Sequence, residues 1–140
     1  METVEKTIIT VEATVRASVA KVWEYWNEPR HITQWCAASE DWHAPHAEND
    51  LRKDGKFKTT MAAKDGSVSF DFEGVYTNVQ PNRLIEYTLL DGRKVKIIFN
   101  AEGDSTHVIE SFEAESLHPA EMQRSGWQSI LDNFKSYTEK

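Results

Sequence analysis

The sequence predicts an α+β domain in which a curved antiparallel sheet of about six or seven strands wraps around one long C-terminal helix. Three observations predict it. Apolar and polar residues alternate with a period of two over most of residues 41–113, interrupted by tight-turn dipeptides. Two short helical patterns stand directly after the first strand-like segment, and a single long amphipathic pattern closes the chain.

Residues 7–16 read TIITVEATVR, in which Ile9, Val11, Ala13 and Val15 alternate with Thr10, Glu12 and Thr14 as in a half-buried strand. Ser18 offers an N-cap, and Val19, Val22, Trp23 and Trp26 follow at helical spacing. Pro29 suits the first turn of a second short helix through Ile32 and Trp35. Further on, Phe57, Thr59 and Met61 alternate with polar neighbours, and Lys64-Asp65-Gly66 turns the chain. Val68, Phe70, Phe72 and Gly74 then alternate with Ser69, Asp71 and Glu73, and Pro81-Asn82 ends that strand. Asp91-Gly92 is a two-residue hairpin signal between apolar runs, Val95, Ile97 and Phe99 alternate after it, and Gly103-Asp104 turns into a last strand over residues 106–112.

In the closing helix Pro119 fits the first turn and Glu121 its positive N-terminal end. Met122, Gly126, Trp127, Ile130, Leu131, Phe134 and Tyr137 form one stripe, while Gln123, Arg124, Gln128, Asp132, Lys135 and Glu139 are expected to face away. No repeat, low-complexity stretch or linker interrupts the chain, so residues 1–140 read as a single domain. One helix cannot fill the concave face of a curved sheet, so a hollow is expected beside it.

A chain of 140 residues buries roughly two-thirds of its unfolded surface and needs no metal or disulfide staple. Acidic residues outnumber basic ones, 23 to 16, which makes nucleic acid and anionic membranes poor partners. The start METVEKTI lacks a signal-peptide pattern, no run is apolar enough to span a bilayer, and Cys36 is the lone cysteine. A cytoplasmic location is the expectation.

Several short motifs occur in a distinctive order: Ala20-Lys21-Val22-Trp23, Ile32-Thr33-Gln34-Trp35, Gly74-Val75-Tyr76 and Pro81-Asn82-Arg83-Leu84. They end with Val108-Ile109-Glu110-Ser111-Phe112 and Gly126-Trp127-Gln128-Ser129-Ile130-Leu131. In this order and spacing the chain resembles the START-like, or SRPBCC, superfamily, in the branch named after the C-terminal domain of the activator of Hsp90 ATPase. The resemblance runs from about Thr7 to Tyr137. It implies a helix-grip fold with a cavity, in a superfamily whose members carry lipids, sterols, hormones or polyketides and only sometimes catalyse a reaction. The resemblance implies that the namesake co-chaperone docks on Hsp90 through an additional N-terminal domain, and no such domain is expected here.

The expected cavity walls are Phe57, Met61, Phe70, Phe72, Ile97 and Phe99 from the sheet, Trp127, Ile130 and Phe134 from the long helix, and Trp35. Glu110 is the polar exception. If Val108 and Phe112 face inward, period two puts Glu110 between them, where a carboxylate is costly and its pKa tends to rise. It could anchor a polar group of a ligand or act as an acid or base; alternatively the strand twists and the side chain meets solvent. Gly126 is expected to allow close helix–sheet packing with Trp127 in the core, and otherwise to admit a ligand to the helix. Trp35 and Trp42 could form an aromatic gate, with core packing as the other reading. His43 and His46, three apart in an extended segment, point to opposite faces and are read as solvent-facing rather than metal ligands. Cys36 lacks an assured activating partner, and Arg83 reads as a turn residue or surface ion-pair member.

No catalytic residue, cofactor or metal is assigned. The leading reading is a binding protein for a small hydrophobic or amphipathic molecule, as monomer or homodimer. A protein-interaction or stress-response adaptor with a collapsed core is the alternative, and an enzyme using Glu110 as acid or base is the third.

Overall fold

The computed structural model describes residues 7–140; the polar start at residues 1–6 lies outside the described residues. The β-branched run forms β1 (Ile8–Val15), with Ile9, Val11 and Val15 buried as the alternation requires. Ser18 then caps α1 (Val19–Asn27), its hydroxyl accepting from the Lys21 amide at 3.3 Å. Pro29 opens α2 (Pro29–Trp35), where its missing N–H leaves no helical bond unmade.

Six strands follow: β2 (Trp42–Asn49), β3 (Lys56–Ala63), β4 (Ser69–Gln80), β5 (Leu84–Leu89), β6 (Lys94–Glu102) and β7 (Ser105–Glu113). With β1 they make one seven-stranded antiparallel sheet in the order β1-β7-β6-β5-β4-β3-β2. The β2–β7 segment is a meander, and β1 closes onto its end. Register shifts between His43 and His46 in β2 and between Tyr76 and Asn78 in β4 add local twist, and the sheet curls into a half-barrel. Pro45 sits in β2 at the sheet edge, where a strand tolerates a missing N–H.

α3 (Ala120–Thr138) lies across the concave face, completing the helix-grip arrangement. Leu131 and Phe134 are fully buried under it. Its outer side is busier than amphipathicity implies. β1 is an edge strand, and Arg124, Gln128 and Lys135 donate to the carbonyl oxygens of Thr10, Glu12 and Thr14 at 2.9, 3.1 and 2.9 Å. These bonds satisfy acceptors that would otherwise invite another strand.

Four expectations are corrected. Gln123 is buried rather than outward: its amide accepts from the Glu115 N–H and donates to the Glu115 and His118 carbonyls, holding the β7–α3 connection. Met122, expected within the stripe, is 61% exposed. The β5–β6 connection is longer than two residues: the Gly92 amide bonds Leu89 O, the Leu89 amide bonds Arg93 O, and Gly92 takes φ +92°. The true two-residue hairpin is at Gly103-Asp104, with Glu102 paired to Ser105 and Gly103 at φ +63°. Pro119 stands at the N-cap of α3, one position before the first turn.

Candidate functional site

Rows of inward side chains cross the sheet in register. One row runs Tyr76, Tyr87, Val95, Phe112 and Ile9, and the next runs Ile85, Ile97, Glu110 and Val11. Glu110 thus occupies a position whose row neighbours are aliphatic. Between these rows and α3 lies a cavity of about 490 Å³. Its aromatic walls are Phe57 on β3, Phe72 and Tyr76 on β4, Tyr87 on β5 and Trp127 on α3, with Trp26 and Trp35 beneath. Trp127 stacks flat on Phe112 at 3.9 Å and 11°, and it meets the Phe72 ring edge-on at 5.9 Å. Phe70, 49% exposed, and Met122 stand at the rim, where Trp42 meets Phe70 at 5.9 Å.

The polar lining includes hydrogen-bonded groups and one carboxyl without a partner. Tyr76 donates to Asn49 Oδ1 at 2.5 Å, and Asn49 donates to the Asn27 carbonyl at 2.7 Å. Glu110, only 7% exposed, has no hydrogen-bond or ion-pair partner among the described residues. Burial in this apolar setting pushes its carboxyl up to about 8, so the group is mostly protonated at neutral pH. Burial, and secondly the nearby Glu110, push the Cys36 thiol up to about 12 and the Tyr87 hydroxyl well above its ordinary value. Glu110, Cys36 and Tyr87 are therefore all favoured in their neutral forms, which disfavours a thiolate or phenolate nucleophile there. Among the described residues no cluster of three or more His, Cys, Asp or Glu is placed to hold a metal ion, and no helix is long and apolar enough to cross a membrane.

A family model described as activator of Hsp90 ATPase homolog 1-like protein matches residues 16–139. The chain belongs to this family. Its fold is that of the START-like, or SRPBCC, superfamily. The AHSA1-like protein of Aeromonas hydrophila is 44% identical, with TM-score 0.89 over 95% of this chain and 92% of that one. A protein of Cytophaga hutchinsonii is 62% identical, with TM-score 0.82 over 94% and 91% of the two chains. A Nitrosomonas europaea protein keeps the fold at 17% identity, with TM-score 0.81 over 93% and 92%. No curated protein matches the sequence.

Within this activator-homologue fold, Trp35, Phe57, Met61, Phe70, Phe72, Glu110, Trp127 and Ile130 come together around the cavity. Ile97, Phe99 and Phe134 do not. The two short helices lie over that end of the sheet: Trp23 and Trp26 pack on Phe99 at 5.2 and 5.7 Å, and Trp26 and Trp35 enclose Phe134 at 4.8 and 4.9 Å. Ile97 is buried in the sheet core beside Ile85 and Glu110. Trp35 is thus core on one side and cavity floor on the other, and the ring partner of Trp42 is Phe70 rather than Trp35.

Gly126 departs furthest from expectation. A Cβ there would meet nothing within 4 Å, so close packing does not explain the glycine; the missing side chain leaves room in the cavity. His43 and His46 are both exposed, and His46 lies 3.3 Å from Glu48. Arg83 sits in the turn after β4. Sequence reasoning did not single out Ile85, Tyr87 and Tyr76. The period-two patterns Ile85, Tyr87, Leu89 in β5 and Phe70, Phe72, Gly74, Tyr76 in β4 carried the signal; the bulge in β4 lies after Tyr76.

Proposed function

We propose that the protein binds a small apolar or amphipathic molecule in the cavity between the sheet and α3. The observation that carries this reading is an aromatic-lined space of about 490 Å³ with one unpartnered buried carboxyl in its wall. Cavities of roughly 300 to 1,000 Å³ with few placed polar groups are the usual form of small-molecule sites. Gly126 supports the same reading, because a mid-helix glycine costs about 1 kcal/mol against alanine and no packing contact here accounts for it.

An adaptor acting only through its surface has no use for such a space, which weighs against that role. Acid–base catalysis through Glu110 would need a second reacting group, and neighbouring Cys36 and Tyr87 are both held protonated. The free, half-buried Cys36 suits a reducing compartment, and we read the protein as cytoplasmic.

The test is native mass spectrometry of the gently purified protein, followed by thermal-shift titration with apolar and amphipathic compounds. A co-purifying adduct or a saturable rise in Tm, abolished by filling the cavity at Gly126, is the expected result. No adduct and no shift across the series would overturn the reading.

A further inference from the structure

We propose that the cavity's ligand carries a positively charged nitrogen, an apolar amine whose cation sits against Glu110 among the aromatic walls. This rests on the binding function proposed above and deepens it.

The argument is one of charge pairing. Besides Cys36, Tyr76 and Tyr87, five acidic or basic side chains line the cavity: Glu48, Arg93, Glu110, Glu115 and His118. At the rim, Glu48 lies 3.3 Å from His46 and 3.9 Å from Lys58. Arg93 pairs with Asp91 at 2.7 Å, and Glu115 with His118 at 2.9 Å. Glu110, the most deeply buried, lacks a counterpart among the described residues. Buried acids in folded proteins are ordinarily paired or hydrogen-bonded, and the partner that would let this carboxyl ionise is a cation brought by the ligand.

The surroundings fit that occupant. Tyr87 stands near Glu110, Phe72 and Trp127 line the same cavity, and aromatic faces attract desolvated cations. Arg93, the guanidinium in the lining, is already paired with Asp91 at 2.7 Å. An anionic head would hold Glu110 in its protonated form and gain no ion pair from it. A neutral carbonyl or ether would be served as well by an amide or hydroxyl at this position; what a carboxyl adds is the ability to ionise. Because the free group is mostly protonated at neutral pH, seating a cation beside it drives off its proton.

The experiment is calorimetric titration at neutral pH with three matched probes: 1-naphthylmethylamine, 1-naphthylmethanol and 1-naphthoate. Each is run in two buffers of different ionisation enthalpy, so that proton release is counted directly. The expected result is an amine at least about tenfold tighter than the alcohol, naphthoate weakest, and close to one proton released per amine bound. Glu110→Gln should remove both the preference and the proton release while leaving alcohol affinity within about threefold. Should that variant misfold, proton release by the wild-type protein still decides. Alcohol binding as tightly as amine, or amine binding without proton release, overturns the cation while leaving the cavity's binding role intact. Failure of all three probes to bind at millimolar concentration overturns both.

Discussion

Phe57 lies across Gly74 of the neighbouring strand so closely that a Cβ at Gly74 would stand 2.8 Å from the ring. The same Cβ would be 2.7 Å from the Thr88 carbonyl oxygen, part of a backbone held by its strand pairing. Gly74 therefore sets how deeply Phe57 seats, and with it one wall of the cavity. Gly74→Ala should cost about 1 to 3 kcal/mol in chemical denaturation. An unchanged midpoint would show that strand and ring yield freely.

Gly126 makes the opposite demand. Because an added methyl meets nothing within 4 Å, Gly126→Ala should stabilise the fold by about 1 kcal/mol through helix propensity alone. Gly126→Leu should keep the fold and lose ligand binding by occupying the space. Thermal melts and a binding titration on the two variants check both statements. If the alanine variant is less stable, some contact depends on that gap.

Glu110 makes stability depend on pH with a definite sign. Its folded-state pKa of about 8 lies above the ordinary 4.5, so the native state holds a proton that the unfolded chain releases between these values. Stability is greatest below about pH 4.5 as far as this group is concerned, and it falls as pH rises towards 8, by roughly 3 to 5 kcal/mol in all. Glu110→Gln removes that fall. Urea denaturation of both proteins from pH 5 to 8.5 should show a difference that grows with pH; parallel curves would place the carboxyl in water.

The β1 edge leads to a prediction about association. Arg124→Ala with Gln128→Ala frees the Thr10 and Glu12 carbonyls, at a cost of about 0.5 to 1.5 kcal/mol for each bond. Light scattering after size exclusion should show the double variant more prone than the parent to dimerise or aggregate through β1. Identical profiles would mean that the edge is protected by other means.

Phe134 and Phe72 separate core from wall. Phe134→Ala should cost about 3 to 5 kcal/mol because its ring is fully buried among Trp26 and Trp35. Phe72→Ala, at a partly buried wall, should cost less and alter ligand affinity more. Equal losses in denaturation would erase the distinction.

That last pair marks the limit of periodicity. Alternation places Phe72, Phe99 and Glu110 on the inward face of their strands, and helical spacing puts Phe134 and Trp127 on one stripe of α3. Facing inward is a local property of backbone geometry, legible from residue order. Whether an inward side chain meets another side chain or a void depends on what lies opposite. For Phe99 and Phe134 the opposing surface is α1 and α2, whose docking depends on residues far apart in the chain.

Residue order alone specifies the half-barrel and its covering helix, because strand and helix periods, turn dipeptides and caps act over a few residues. It also placed Glu110 inward, through the alternation of Val108, Glu110 and Phe112. That Gly126 faces open space, that Gln123 is buried and that Glu110 lacks a partner among the described residues follows from the packing of the folded chain. Each of these is a statement about the distance between segments remote in sequence, and such distances follow from the curl of the whole sheet and the seat of α3 upon it.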